Sequence, residues 1–336
     1  MEIIECTPNI SEGQNKEIID ILADVVGKVD GVKLLHVDSG KDVNRTVFTF
    51  VGVPDAVVDA AFAMYKKALE LLTMKQHSGK HPRMGIIDVC PLTPVADISL
   101  EQVVEYAESL AKRVGEELLV PVYLYEANAR YAYRSKLEQI RRGEYERLYL
   151  KMQNVDWIPD YGPKSFNEEC GVTAIGARNF LIAYNVNLNT SNLDIAKNIA
   201  VQLRESGGTY YDSHGVRTIK KTGLLKGVKA IGWYIEDFNT VQVSVNITDY
   251  KMVGLARVFN EVSRLATAYG VEVTGSEIVG LVPYEALEHA GMAFQYNEKL
   301  VHTNPIDVAI EKLGLCTVKE FSPQNHILEF VAGIQK

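Results

Sequence analysis

Cysteine is scarce in this chain: Cys6, Cys90, Cys170 and Cys316 are scattered over 336 residues, with no CxxC pair. That spacing argues against a disulfide framework and a cysteine-built zinc site, and reads as reduced thiols in a cytoplasmic protein. Long apolar runs are missing too, so no segment suits a membrane span. The opening Met1-Glu2-Ile3-Ile4-Glu5-Cys6 is too short and acidic for a signal peptide. Positive charge is in deficit: 35 basic against 43 acidic residues leave −8, with no basic tract, which argues against nucleic acid as a partner. A small anionic ligand stays compatible, since a site needs only a few local cations. Glycine-rich phosphate cradles are absent as well. Neither GxxxxGK[ST] nor GxGxxG occurs, and Gly207-Gly208-Thr209-Tyr210-Tyr211 fits neither pattern.

What is present is ordinary globular material, 47% apolar and 23% charged, enough for one large domain or two small ones. A strand at Ile3 to Cys6 precedes a helix carrying Ile18, Ile19, Leu22, Val25, Val26 and Val29, for which Ser11-x-x-Gln14 reads as a capping box. A hairpin follows around Ser39-Gly40-Lys41-Asp42. Next come a helix opened by Pro54, a strand at 86–90, a helix capped by Ser99-x-x-Gln102 and a short strand at 121–125. From about residue 130 to 176 the pattern weakens: Arg141, Arg142, Glu144 and Glu146 suggest a solvated helix, and Asp156 to Pro163 reads as a long irregular segment. The order then recurs. A strand at 180–187 leads to a helix begun by Ser191-x-x-Asp194. A hairpin around Asp237-Phe238-Asn239, a helix from Val253 and a strand at 271–279 complete it. Each half therefore reads strand–helix–strand–strand–helix–strand, an α+β chain of two ferredoxin-like (split βαβ) subdomains. Helices cover one face of each sheet. The other face is expected to line a ligand cleft or tunnel between the sheets. Thr240 to Thr248 supports this by alternating Val241, Val243, Val245 and Ile247 with Gln242, Ser244 and Asn246. Asn185 and Asn187 extend the uncharged polar face, which equally suits a solvated open sheet.

The densest cluster of titratable groups is the turn His77-Ser78-Gly79-Lys80-His81-Pro82-Arg83-Met84-Gly85. Glycines allow the tight turn, Pro82 stiffens it, and histidines bring acid–base chemistry near neutral pH. His36 and Asp38, two apart on a strand, share a face, and Arg45 lies across the hairpin. Asp38 can be an orienting acid or a turn residue. A metal set of His36, His77 and His81 with Asp38 and Asp88 is conceivable, but the HExxH glutamate is missing. The stretch 207–227, with Arg217, Lys220, Lys221 and Lys226, reads as a mobile basic loop able to clamp a polyanionic tail, or as a solvated insertion.

Several blocks carry a resemblance. Glu5-Cys6-x-Pro8-Asn9-x-Ser11-Glu12-Gly13, Asn44-Arg45-Thr46-Val47-x-Thr49-Phe50-Val51-Gly52 and His81-Pro82-Arg83-Met84-Gly85-x-x-Asp88-Val89-Cys90-Pro91 are similar to the formiminotransferase part of the formiminotransferase-cyclodeaminase family. Pro121-Val122-Tyr123-Leu124-Tyr125, Gly176-Ala177-Arg178-x-Phe180-Leu181 and Val279-Gly280-Leu281-Val282-Pro283 extend it over nearly the whole chain. The resemblance implies transfer of a formimino group from N-formimino-L-glutamate to tetrahydrofolate as co-substrate. It also implies a cytoplasmic homodimer and two subdomains, 1–177 and 178–336. The family's catalytic histidine falls on His81, with Asp38 and Arg45 near the active site. The folate segment falls on Gly162, Pro163, Lys164, Ser165, Phe166, Asn167, Glu168, Glu169, Cys170 and Gly171. Arg83, Arg178, Lys220 and Lys221 are further candidates, Arg83 with Arg45 for the donor's carboxylates.

The chemistry fits these residues. Folate N5 must lose a proton as it attacks an amidine-like carbon, and the leaving nitrogen must gain one; a single histidine can serve as base and then acid. Asp38 would hold its tautomer. No metal or redox cofactor is required. With no cyclodeaminase part after Lys336, the reaction is expected to stop at the formimino adduct. Competing readings are ATP-dependent cyclisation of 5-formyltetrahydrofolate, formiminoglycine as donor, a metal-dependent hydrolase, and a silent folate-binding module.

Overall fold

The computed structural model describes residues 1–41, 43–79, 81–211, 217–235, 240–298, 304–317 and 320–334, leaving out the side chains of 209–211, 217–220, 297 and 298. The chain divides into two compact units, Met1–Asn179 and Phe180–Lys336.

The first unit contains β1 (Ile3–Cys6), β2 (Asn9–Ile10), α1 (Lys16–Gly27), β3 (Val32–Gly40), β4 (Arg45–Gly52) and α2 (Pro54–Leu71). It continues with β5 (Ile87–Ala96), α3 (Leu100–Glu117), β6 (Val122–Leu124), α4 (Leu137–Ile140), α5 (Leu148–Lys151) and β7 (Thr173–Ala177). β1 and β2 both lie between β4 and β5, with β3 outside β4 and all pairs antiparallel. This is the expected split βαβ order. β5 then runs parallel to β7, and β7 to β6. Strand β7 was not legible in the sequence, because Thr173-Ala-Ile-Gly-Ala is short and small with no clear alternation. It is nonetheless buried on both faces. Ile4, Cys6, Ile10, Phe48, Phe50, Cys90 and Leu92 pack under the apolar stripes of α1, α2 and α3. Each fully buried large side chain there contributes about 1.5–3 kcal/mol. A second cluster, Met84, Val89, Tyr123, Tyr125, Ile140, Leu148 and Val172, anchors the irregular segment on the other side of β5.

Two caps differ from expectation. Helix α1 begins at Asn15, whose side chain accepts from the N–H groups of Glu17 and Ile18. Ser11 instead donates its hydroxyl to the Gly85 carbonyl, 2.8 Å away, tying β2 to the histidine loop. Asn192, one residue beyond Ser191, caps the helix of the second unit. The Ser99/Gln102 capping box is present as read.

The second unit holds β8 (Ile182–Leu188), α6 (Leu193–Leu203), β9 (Gly208–Tyr211), β10 (Arg217–Lys221), β11 (Val228–Ile235), β12 (Thr240–Ile247), α7 (Leu255–Ala268) and β13 (Val273–Val279). Helices α8 (Tyr284–Glu298), α9 (Pro305–Leu313), α10 (Pro323–His326) and α11 (Leu328–Ala332) follow. Its main sheet, β11–β12–β8–β13, repeats the split βαβ order. Val241, Val243, Val245 and Ile247 are buried, as their alternation requires. The basic stretch 207–227 is not simply a loop, since β9 and β10 pair antiparallel within it. The turn at Asp237-Phe238-Asn239 lies outside the described residues. No helix among the described residues is long and apolar enough to cross a membrane.

Candidate active site

After α2, Thr73 caps a short 3-10 turn, Met74–Gln76, and the chain enters the histidine loop. His77 is held at both ring nitrogens: Nε2 lies 3.0 Å from the Asn44 carbonyl, and Arg83 Nε donates to Nδ1 at 3.3 Å. A carbonyl only accepts and a guanidinium only donates, so His77 is the neutral Nε2–H tautomer and serves as a strut.

His81 differs. Its only hydrogen bond among the described residues joins Nδ1 to the Pro82 carbonyl at 2.8 Å. The carbonyl must accept, so Nδ1 carries the proton and Nε2 presents a lone pair. Burial pushes the imidazole pKa down to about 4. The charges of Arg45 and Arg141 add to this, while the Pro82 bond and Asp88 oppose it. His81 is therefore neutral at physiological pH and ready to accept a proton at Nε2.

The cations near it are anchored by Asp88. This carboxylate is fully buried, takes Arg45 Nη2 at 2.9 Å and Arg141 Nη2 at 2.5 Å, and accepts the Met84 N–H at 2.8 Å. Its position follows from a β-bulge. Ile10 faces Ile87 but Asn9 faces Val89, so Asp88 is an extra residue in β5. Arg45 also donates from Nε and Nη2 to Asn9 Oδ1, at 3.1 and 3.0 Å. Burial lowers the Arg45 pKa, and Asp88 counters it. Arg45 Nη1 and Arg141 Nη1 have no hydrogen bond among the described residues, and Arg141 Nε is buried without a partner. Arg141 Nε is a buried donor left open, which is costly, and together with the two free Nη1 groups it can seat an anion.

Arg83 does not join it. Its terminal nitrogens grip Glu146 at 2.9 and 2.6 Å, with Glu144 at 3.4 Å, and its carbonyl accepts the Tyr145 N–H. The fork assigned from sequence to a donor carboxylate is thus committed within the chain, and Arg141 is the open partner of Arg45. Asp38 is exposed on β3, paired with Val47, and makes no hydrogen bond to His81 among the described residues. The group holding the His81 tautomer is the Pro82 carbonyl rather than the Asp38 carboxylate. His36 is exposed on the same strand, and among the described residues no three His, Cys, Asp or Glu side chains converge.

The segment 162–171 adjoins the histidine loop. Gly162 and Gly171 take positive φ, +78° and +68°. Ile86 N–H donates to the Cys170 carbonyl and Val172 N–H to the Met84 carbonyl. A Cβ on Gly171 would collide with the Met84 carbonyl, and one on Gly85 with the Val172 carbonyl, so both glycines are needed where the segments cross. Asn167 folds the turn by accepting from Glu169 and Cys170 N–H groups. Glu169 binds Lys75 at 2.6 Å and Thr73 at 2.7 Å, and Glu168 lies 3.6 Å from Lys75. Phe166 packs on Tyr145, Pro163 is half-buried, and Lys164 and Ser165 are exposed.

Of the remaining candidates, Arg178 belongs to the first unit and Lys220 and Lys221 to the second. Arg178 donates to Asn179 O and Thr7 Oγ1. It also partly offsets the burial that raises Glu5 to about 7. Lys221 is exposed at the end of β10, and the side chains of Lys220 and Arg217 lie outside the described residues. Sequence reasoning treated Asp88 only as a metal candidate and overlooked Arg141 and Asn9. A lone acid inside the apolar run Ile86-Ile87-Asp88-Val89-Cys90 was the available signal, since a buried carboxylate needs cationic or N–H partners.

Comparison with known proteins identifies the family. Residues 3–178 match the formiminotransferase domain, N-terminal subdomain, and residues 183–333 match the formiminotransferase domain. The formimidoyltransferase-cyclodeaminase of Gallus gallus is 43% identical over 333 residues, 98% of this chain; the chain spans 60% of that relative's length. The glutamate formimidoyltransferase of Streptococcus pyogenes serotype M1 is 42% identical over 286 residues, covering 85% of this chain and 91% of the relative. That of Thermoplasma acidophilum is 43% identical over 289 residues, covering 85% and 90%. With both halves matched, and relatives covered almost end to end, this chain belongs to the formiminotransferase family.

Proposed function

We propose that this protein transfers the formimino group of N-formimino-L-glutamate to tetrahydrofolate, giving 5-formiminotetrahydrofolate and glutamate. The observation that carries the reading is a neutral histidine with Nε2 open beside two half-unpaired arginines. Arg45 and Arg141 bind a carboxylate of the donor. Folate N5 attacks the formimino carbon, and His81 Nε2 takes the N5 proton. As the carbon–nitrogen bond to glutamate breaks, the same proton passes to the departing nitrogen, so His81 ends the cycle neutral, as it began. Burial is the main cause of the low His81 pKa and the arginine charges add to it; an anionic donor opposes that added part, so the base strengthens when substrate arrives. The segment 162–171, laced to the histidine loop, is assigned to the folate. A cytoplasmic homodimer of two ferredoxin-like subdomains belongs to the same reading.

Transfer assayed with formiminoglutamate and with formiminoglycine, each against tetrahydrofolate, tests the reaction and the donor. His81→Asn is expected to lower turnover by about 10²–10⁴ with the fold intact. Turnover near that of the parent protein at saturating substrates would sink the assignment.

A further inference from the structure

Arg141 reaches the site from an irregular part of the first unit, and a lysine that the chemistry above does not use holds it there. Arg141 directly follows α4, a single helical turn. The backbone after it is strained: Gly143 takes φ +93°, and Glu144, which carries a side chain, takes φ +54° with ψ −165°. A side chain in that region persists only where its surroundings over-determine it. Two clamps do so. On one side Arg83 grips Glu144 and Glu146. On the other, Lys151 at the end of α5 donates from Nζ to the carbonyls of Gln139 and Arg142, each at 3.2 Å, and of Ile140. These three carbonyls bracket Arg141, whose own carbonyl accepts the Glu144 N–H at 2.8 Å.

A lysine that only capped a helix end would keep its ammonium in water. Lys151 does not. The indole of Trp157 covers it, with Nζ 3.7 Å from the ring centroid, and the Trp157 carbonyl accepts from the Tyr123 hydroxyl. Ile140 at the end of α4 and Leu148 at the start of α5 are buried in one cluster, so the lysine and its carbonyls hang from a common core. Burial, with the charge of Arg142, lowers the Lys151 pKa to about 8, and at neutral pH it is still an ammonium. No carboxylate pairs with it among the described residues. A desolvated charge is a costly way to cap one helical turn. What it secures is the backbone at Arg141, from which the guanidinium meets Asp88 Oδ2 and keeps Nη1 open.

We propose that Lys151 is a positioning residue for the transfer reaction: by holding the carbonyls on either side of Arg141, it sets the guanidinium that seats the donor's carboxylate. This rests on the reading of Arg45 and Arg141 as that seat.

A double-mutant cycle read by steady-state kinetics tests it, with N-formimino-L-glutamate and tetrahydrofolate each varied against saturating levels of the other. Lys151→Met keeps the length of the side chain and its packing on Trp157 but removes the charge and the donors. It is expected to raise the KM of the donor about tenfold, within the roughly 10–100-fold rise expected of Arg141→Met, while kcat and the KM of tetrahydrofolate change by less than about threefold. In the Arg141→Met background Lys151→Met should have no further effect on the donor, because its influence passes through the guanidinium. Lys151→Arg, able to reach the carbonyls and stack on the indole, should restore most of the donor KM. Urea unfolding checks that each variant is folded; should Lys151→Met not fold, Lys151→Gln takes its place in the cycle. An unchanged donor KM in a folded variant, equal rises for both substrates, or a rise undiminished in the Arg141→Met background would overturn the role while the transferase reading stands. If the parent protein transfers nothing from formiminoglutamate, both fall.

Discussion

L-glutamate, the amino-acid product of the proposed reaction, is a sharp probe of His81. In the free protein burial, and then the charge of Arg45 with that of Arg141, hold the imidazole near a pKa of about 4. A carboxylate seated on those arginines opposes their field. Two unit charges about 7 Å apart, at an effective dielectric of about 20, interact by roughly 2 kcal/mol. That corresponds to between one and two pH units. Glutamate at saturation is therefore expected to lift the His81 midpoint by about one pH unit or more. Arg45→Met should lift it in the same direction without ligand, though burial remains and keeps it below the ordinary value. Asp88 retains Arg141 and the Met84 N–H in that variant, so the sheet keeps its anchor. The assay is a carbon–proton NMR titration of the seven histidines, with His81 identified by the signal missing in His81→Asn. Kinetics give a second view. The acid limb of kcat/KM reports the free enzyme and that of kcat the complex, so the limb of kcat should lie at the higher pH. A free-protein midpoint near 6.5, or one that neither glutamate nor Arg45→Met moves, would refute the electrostatic account.

Two further outcomes follow from buried charge. Asp88→Asn strips the carboxylate from two arginines at once and should cost about 3–5 kcal/mol in urea unfolding; a loss below about 1 kcal/mol would mean the ion pairs are idle. Glu5 is held at about 7 by burial, above its unfolded value near 4.5, so the folded state keeps a proton that the unfolded state releases. Stability from Glu5 is full below pH 4.5 and falls as pH rises to 7. Glu5→Gln should accordingly match the parent at pH 4 and exceed it by about 3 kcal/mol at pH 8. Equal stability at both pH values would place the carboxyl in water.

The sequence made the strand and helix order legible wherever apolar residues alternated or recurred clearly, as in β12 and α3. It also singled out His81 as a candidate, because the loop concentrates titratable groups and its motif resembles a family pattern. Contacts made by folding were hidden. Arg141 lies 53 residues beyond Asp88, in the weakly patterned stretch, and nothing local marks it apart from Arg142 beside it. Arg83 looked like a free fork because Glu144 and Glu146 read as a solvated helix face, yet they close on it. Asp38 looked like an orienter because pairing an acid with a histidine is common chemistry, whereas a backbone carbonyl one residue away does the work. Ser11 fitted a cap pattern, but Asn15 is nearer the first turn and competes better for its N–H groups.

The bulge at Asp88 bears on how such a chain is altered or designed. A sheet idealised for regularity would drop one residue from β5, gaining an unbroken ladder and losing the acid that sets two arginines. The irregularity is thus a trade of local order for a charged centre, held in place by one surplus residue. Strand length, as much as residue identity, is then part of what the site inherits. An alignment of relatives that slid one position at Asp88 would misplace the anchor while keeping every flanking apolar residue in apparent agreement.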